Sequence, residues 1–294
     1  MNSKVILLVA LGMSAFGFVV LATQNRMAAK PATEIGGEEE VGSKDLITGS
    51  MDLSKFDELD VDIASLNFYL EKGDGYKLEY QVTEKNIPRV SESGDKLTVK
   101  QPSGSSFSFN FSSVTKNQYY KIIVPENAGV IDAELEAASG SINVDGVDIK
   151  GKVSIASGRA AACDVESKEL KVSAASGKID LSNVIVEKLN VDLTSGSFNA
   201  TDCKASELDA ELTSGMITFD RMSADEVDLD IMSGTVSMNL LGNKDDYDYK
   251  LESTSGSIVL DGSKVDRKFK SDAGRDKKIK VDLTSGKVDI SFTE

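Results

Sequence analysis

The chain has no histidine and no tryptophan, and only two cysteines and four prolines among 294 residues. Without imidazole there is no Ser-His-Asp or Cys-His machinery, no histidine proton shuttle and no His-ligated zinc. Basic residues are also scarce: 33 Lys+Arg stand against 48 Asp+Glu, a net charge of −15. Wrapping nucleic acid requires Lys/Arg to displace counterions, so this balance argues against a nucleic-acid partner. Hydrophobic residues make up 40% of the chain, enough for a core and against wholesale disorder.

One long apolar run is present. Lys4 precedes Val5–Ala22 (VILLVALGMSAFGFVVLA), which carries no charge. As a helix this run would span about 27 Å, close to the hydrocarbon thickness of a bilayer. It exceeds the usual secretory core of about 7–15 residues, which predicts an uncleaved signal-anchor through residues 5–22. Val20 and Ala22 occupy the −3 and −1 positions of a cleavage site, so a signal peptide removed on export is the alternative. Either way, the chain beyond Thr23 is expected outside the cytoplasm, anchored in the cell membrane or secreted. Residues 1–25 are therefore read as signal-anchor or signal peptide. Residues 26–45 are read as a flexible acidic linker, too poor in apolar side chains to offset its ordering entropy.

The most informative feature is a repeated Ser-Gly pair. Its glycines are Gly140, Gly158, Gly177, Gly196, Gly215, Gly234, Gly256 and Gly286, mostly 19 positions apart, with wider final intervals. Aligned on that Gly, apolar residues fall two, four and seven positions after it (Ile179, Leu181 and Val184, for example) and five and three before it (Val172 and Ala174). Positions between these are mostly polar, which is the period-two signature of strands. A unit of strand, turn, strand and Ser-Gly turn cannot bury its apolar side alone. Stacking successive units in register solves this, and predicts an all-β parallel β-solenoid with coils of about 19 residues. On this reading Gly supplies a left-handed corner and Ser bonds neighbouring backbone there. All four prolines precede the array, as expected where every N–H joins a ladder. Eight coils at about 4.8 Å each would stack to about 40 Å.

Residues 46–130 alternate without the period. FDELDVDI (56–63), YKLEYQV (76–82), KLTVK (96–100), FSFNF (107–111) and YYKIIV (119–124) read as strands. They are expected to cap the first coil of the regular repeats at 131–294, sharing one core with them.

Together, the N-terminal apolar segment, the LDVDIASLNFYL opening, the YYKIIVPENAGV strand and the ASG/TSG repeats resemble the bacterial putative-adhesin (LiaG-like) family of β-strand repeat proteins. The resemblance covers most of residues 46–294. It implies a β-solenoid outside the cytoplasm, without catalytic residues to carry over. It also implies relatives encoded beside envelope-stress signalling systems.

Two surface features are candidate sites. Four positions before each Gly lies an outward stripe rich in carboxylates. With stacked coils, Asp192, Asp209, Glu211, Asp228 and Asp230 would form one acidic patch at strand spacing. Such a patch could weakly bind Ca²⁺ or dock a basic partner; it also suits a solvated face that blocks lateral aggregation. The second feature lies in the last interval, where Lys268, Lys270, Lys277 and Lys278 belong to a segment carrying eight Lys/Arg against four Asp. This segment could contact an anionic partner, such as wall polymer or lipid headgroups, or form an ordinary terminal hairpin over the last coil. The terminal strand 287–292 would then be an open edge unless covered. Cys203 falls in an inward column and reads as core; Cys163 falls in an outward one. Their coils are two apart, too far for a disulfide, and no metal site or cofactor is expected from them.

These features favour a non-enzymatic extracytoplasmic envelope protein, adhesin-like or accessory to envelope-stress sensing. It would offer a regular surface to a cell-envelope component or membrane protein. A carbohydrate-active β-helix enzyme using Asp209, Glu211, Asp228 and Asp230 is the alternative. Intervals of 18–19 residues leave no loops to wall a cleft, and the lack of Trp removes the usual sugar-stacking platform. Oligomeric state is not encoded in the pattern.

Overall fold

A computed structural model of the chain describes residues 46–102 and 118–293. The apolar run at 5–22, the linker and the FSFNF segment lie outside the described residues. Among the described residues no helix is long and apolar enough to cross a membrane. Among the described residues the structure is all-β, as the alternating pattern predicts, with two 3-10 turns at Glu84–Asn86 and Lys244–Asp246.

The irregular opening supplies β1 (Ile47–Asp52), β2 (Glu58–Ile63), β3 (Asn67–Gly73), β4 (Lys77–Val82), β5 (Arg89–Ser93), β6 (Lys96–Lys100) and β7 (Tyr119–Pro125). The repeats supply β8 (Ile131–Ala137), β9 (Ser141–Asp145), β10 (Ile149–Ile155), β11 (Arg159–Ala174), β12 (Lys178–Leu193), β13 (Ser197–Thr201), β14 (Lys204–Leu212) and β15 (Met216–Leu241). After these come β16 (Tyr247–Ser253), β17 (Ser257–Leu260), β18 (Ser263–Lys264), β19 (Lys268–Ser271) and β20 (Lys277–Thr293). All twenty join one hydrogen-bonded sheet system.

Through the middle, each strand pairs in parallel with its equivalent one repeat later. Ile179 stands opposite Ala160 and Val191 opposite Val172. Phe198 stands opposite Ile179, Leu212 opposite Leu193 and Ile231 opposite Leu212. A parallel register of whole repeats puts like on like, so the apolar columns coincide and are buried. One hydrophobic cluster runs from Phe56 to Ile290. Cys203 is inside it, as its column predicts, while Leu241 in the same column is exposed.

The glycines hold their places for a reason other than the expected left-handed corner. Gly196, Gly215, Gly234 and Gly286 do have φ between +108° and +145°, but Gly140, Gly158, Gly177 and Gly256 are not in that region. What most of the column shares is close approach. A Cβ on Gly158 would lie 1.9 Å from the Gly140 carbonyl oxygen, one on Gly196 2.2 Å from that of Gly177, and one on Gly215 2.3 Å from that of Gly196. The bend continues the ladder through backbone bonds: Ser195 N–H donates to Ala175 O and Ser197 N–H to Gly177 O.

Both ends depart from sequential stacking. At the first, β2 lies between β6 and β8, and β3 between β7 and β9. The opening strands are thus one rung inside, with β6 and β7 outside them. At the other end β20 is not terminal. Its Val281 sits between Leu229 of β15 and Leu251 of β16, and its Val288 between Val236 and Ile258. The expected open edge at 287–292 is therefore an interior strand, and β16–β17 are the outer rung.

Two physical features account for this order. The basic start of β20 faces acidic β15, with Lys277 Nζ 3.2 Å from Asp225 and Lys280 Nζ 2.8 Å from Asp228. The bulkier β16 suits an end: Tyr247 and Tyr249 cluster with Phe292 and Phe269, and their hydroxyls donate to Ala224 O and Lys244 O. Antiparallel β1 and β5 cover one end, and β18 and β19 the other. Charged residues in such strands (Arg89 and Glu92; Lys268 and Lys270) discourage further pairing.

The core thins at one repeat. Ala160 and Ala162 stand where neighbouring repeats carry Ile142, Val144, Ile179 and Leu181, leaving an internal apolar void of about 10 Å³. That is room for roughly one water-sized sphere. Ala162→Val fills it and should raise stability by about 1 kcal/mol, measured as a higher urea midpoint with unchanged m-value.

Candidate interaction faces

The parallel register brings the five predicted carboxylates onto one face. Asp192 of β12 stands beside Glu211 of β14, Glu211 beside Asp230 of β15, and Asp230 beside Asp282 of β20. One column over, Asn190, Asp209, Asp228 and Lys280 succeed one another in the same order.

The face is only partly unpaired. Lys188 Nζ lies 3.0 Å from Asp209 and also bonds Glu207, contacts that raise the lysine's pKa. Lys280 Nζ reaches Asp228 at 2.8 Å and Asp282 at 3.3 Å. Asp192, Glu211 and Asp230 have no cation within ion-pair distance among the described residues. Burial chiefly, and then the Asp282 charge, raise the pKa of Asp230 against the pull of Lys280.

A carboxyl with a raised folded-state pKa holds its proton more tightly in the folded chain. Its penalty is therefore present at neutral pH, is relieved as pH falls through the raised value, and is gone below the unfolded value. Asp230→Asn should stabilise the protein by a few tenths of a kcal/mol at pH 7, the typical scale of facing like charges in a half-exposed setting. Urea titrations should show that gain shrinking with acid and with salt.

The four predicted lysines divide between two places. Lys268 and Lys270 are on edge strand β19, where Lys268 faces Glu252 and Lys270 bonds Asp272 at 3.0 Å. Lys277 and Lys278 begin β20. Lys277 pairs with Asp225 and lies 5.4 Å from the Tyr247 ring centre. Lys278 stands between Glu226 and Asp248. The basic segment thus supplies counter-charge to the acidic strands of its own chain, rather than forming one terminal hairpin.

A second turn column is not evident from the Ser-Gly spacing. Six positions after successive Ser-Gly glycines stand Asp164, Asn183, Asp202 and Arg221, all left-handed with φ of 51–55°, and Gly146 at 65°. Their side chains bond along the stack: Asn183 donates to Asp164, and Arg221 grips both oxygens of Asp202. Asp and Asn tolerate this conformation better than other non-glycine residues, so the run of Gly, Asp and Asn is the signal the sequence carries for it.

Beside this column, ligand atoms of Asp145, Cys163 and Asp164 lie within 4.8 Å of one another. The Cys163 thiol donates to Asp164 at 3.2 Å, and that bond, ahead of burial, raises its pKa. It is the thiol and not the thiolate that stands there at neutral pH. The acidic face offers carboxylates in a line along the stack, unlike the closed oxygen cage that Ca²⁺ favours.

A repeat-built all-β protein with charged columns outside an apolar interior is the class this architecture defines. The chain belongs to the Toastrack DUF4097 family, whose profile matches residues 56–291. Among solved structures, a putative adhesin from Bacteroides fragilis is 15% identical, covering 84% of this chain and 98% of that one, with a TM-score of 0.50. A putative lipid binding protein from Parabacteroides distasonis is 16% identical over 86% and 98%, with a TM-score of 0.46. No curated protein matches the chain. At such identities the likeness is one of fold.

Proposed function

We propose that this chain is a non-enzymatic, extracytoplasmic envelope protein whose β-solenoid presents a charged surface for binding or assembly. The observation that carries this reading is the whole-repeat parallel register, which aligns equivalent outward positions along the stack. Asp192, Glu211 and Asp230 form its unneutralised stretch, suited to a basic partner in the envelope or on a membrane protein. Residues 5–22 would anchor the chain in the membrane and 26–45 would tether the repeats away from it. The adhesin label on a solved structure of the same fold is consistent with a binding role.

Two measurements test the proposal. Full-length chain should be recovered in washed membranes and be accessible to protease added outside the cell; recovery in the cytosolic fraction overturns the location. Crosslinking in intact cells should capture a partner that is lost in an Asp192→Asn, Glu211→Gln, Asp230→Asn variant. Capture that is unchanged in that variant removes the acidic face from the proposal.

A further inference from the structure

The gap that β20 fills is made of strands that all precede it in the chain. β15 forms one wall and β16 with β17 the other, and β20 pairs in parallel with both. The walls are marked for this occupant by charge: Asp225 and Asp228 receive Lys277 and Lys280, and Lys278 lies between Glu226 and Asp248. The marking is also steric, since a Cβ on Gly286 would lie 2.0 Å from the Gly234 carbonyl oxygen.

The route into the gap is short and exposed. β19 lies on the outer side of β16, and residues 272–276 carry the chain from there to β20 on the inner side. Gly274 in this crossing has φ of +73°. The crossing is pinned by one side chain: Asp248 accepts from Ala273 N–H at 2.7 Å and from Arg275 N–H at 2.9 Å. If those two bonds open and the five residues straighten, β20 leaves its own gap and unpairs β15 on one side and β16–β17 on the other, and an incoming copy of β20 restores both sets of pairs.

We propose that the β15/β16–β17 gap is a strand-acceptor site for residues 277–293, and that a second copy of this chain can supply them, forming a reciprocal domain-swapped dimer. Exchange of an identical element preserves every contact of the closed form except those of the hinge, so the dimer competes as concentration rises. The partner is specified by charge and by glycine placement, not by apolar surface alone.

Two full-length variants in mild detergent test this. One reverses the wall (Asp225→Lys with Asp228→Lys); the other reverses the strand (Lys277→Asp with Lys280→Asp). Each alone sets like charges together, whereas in a mixed swapped dimer each strand meets a wall of opposite charge. Refolded together at high concentration, they should give heterodimer by native mass spectrometry, at least about tenfold over either homodimer, equivalent to about 1.4 kcal/mol. Folded monomers alone, or heterodimer below about tenfold over either homodimer (random mixing gives about twofold), overturn the proposal.

A milder pair guards against variants that fail to fold. Ser233 and Ser285 are exposed and directly opposed across β15 and β20. Chains carrying Ser233→Cys, refolded with chains carrying Ser285→Cys and oxidised, should give an interchain 233–285 disulfide identified by peptide mass. No such link from folded chains overturns the proposal. So does an equal yield when Ser237→Cys, which is out of register with 285, replaces Ser233→Cys.

Discussion

Gly215→Ala should destabilise the protein by about 3–5 kcal/mol, a large effect for the addition of one methyl group. The new Cβ would lie 2.3 Å from the Gly196 carbonyl oxygen and 3.0 Å from its nitrogen. Those are backbone atoms held on both sides by the ladder, so relief requires separating two repeats. The φ of +125° adds strain for any L side chain. Gly129→Ala is the matched control, because nothing lies within 4 Å of its Cβ and its φ is not left-handed. There the loss of unfolded-state freedom should leave stability unchanged or raise it by up to about 1 kcal/mol. Urea unfolding, monitored by circular dichroism, separates the two. Similar midpoints for both variants would mean that contact between repeats does not select glycine.

Ending the chain after Asp276 should abolish cooperative folding. In a simple stack, loss of the final repeat exposes one edge and leaves the rest standing. Here it unpairs β15 and β16–β17 at once. It also removes Ile279, Val281, Leu283, Val288 and Ile290, all at most 2% exposed. At about 1.5–3 kcal/mol for each fully buried side chain, the loss is on the order of 10 kcal/mol. Folded domains are stable by only about 5–15 kcal/mol, so the truncated chain should lack a sharp melting transition and be cleaved throughout by protease. A melting temperature within about 5 °C of the full chain would show that the inserted strand is dispensable.

The middle of the fold is legible in the sequence because one local rule covers it. Columns such as Val172, Val191 and Leu229 alternate with polar residues at a constant spacing, and constant spacing is what an in-register parallel ladder produces. The ends are not legible from spacing. Intervals of 22 and 30 residues before Gly256 and Gly286 measure distance along the chain and do not name a neighbour in space. The signal for the true order is charge: acidic Asp225, Glu226 and Asp228 on one strand, and basic Lys277, Lys278 and Lys280 on another. Taken separately, these suggest two independent surfaces. The five carboxylates do share a face, but Lys188 and Lys280 neutralise Asp209 and Asp228. That pairing is visible only once register assigns partners across 52 residues, as between Asp228 and Lys280. Leu241 departs from its inward column for a related reason: its partner on the neighbouring strand is Thr293 of β20, a polar residue.

Interleaving at both ends of the described sheet has a bearing on how such a molecule gains or loses repeats. Between β8 and β15 each repeat pairs in parallel register with the next. Removing or duplicating a 19-residue block there, 178–196 for instance, leaves matching surfaces to rejoin. At either end of the described sheet the chain doubles back beside an earlier strand, so an added unit has nowhere to dock without undoing that pairing. Descendants of a common ancestor with this plan would therefore differ in the number of their central repeats, with the interleaved ends of the sheet carried along intact.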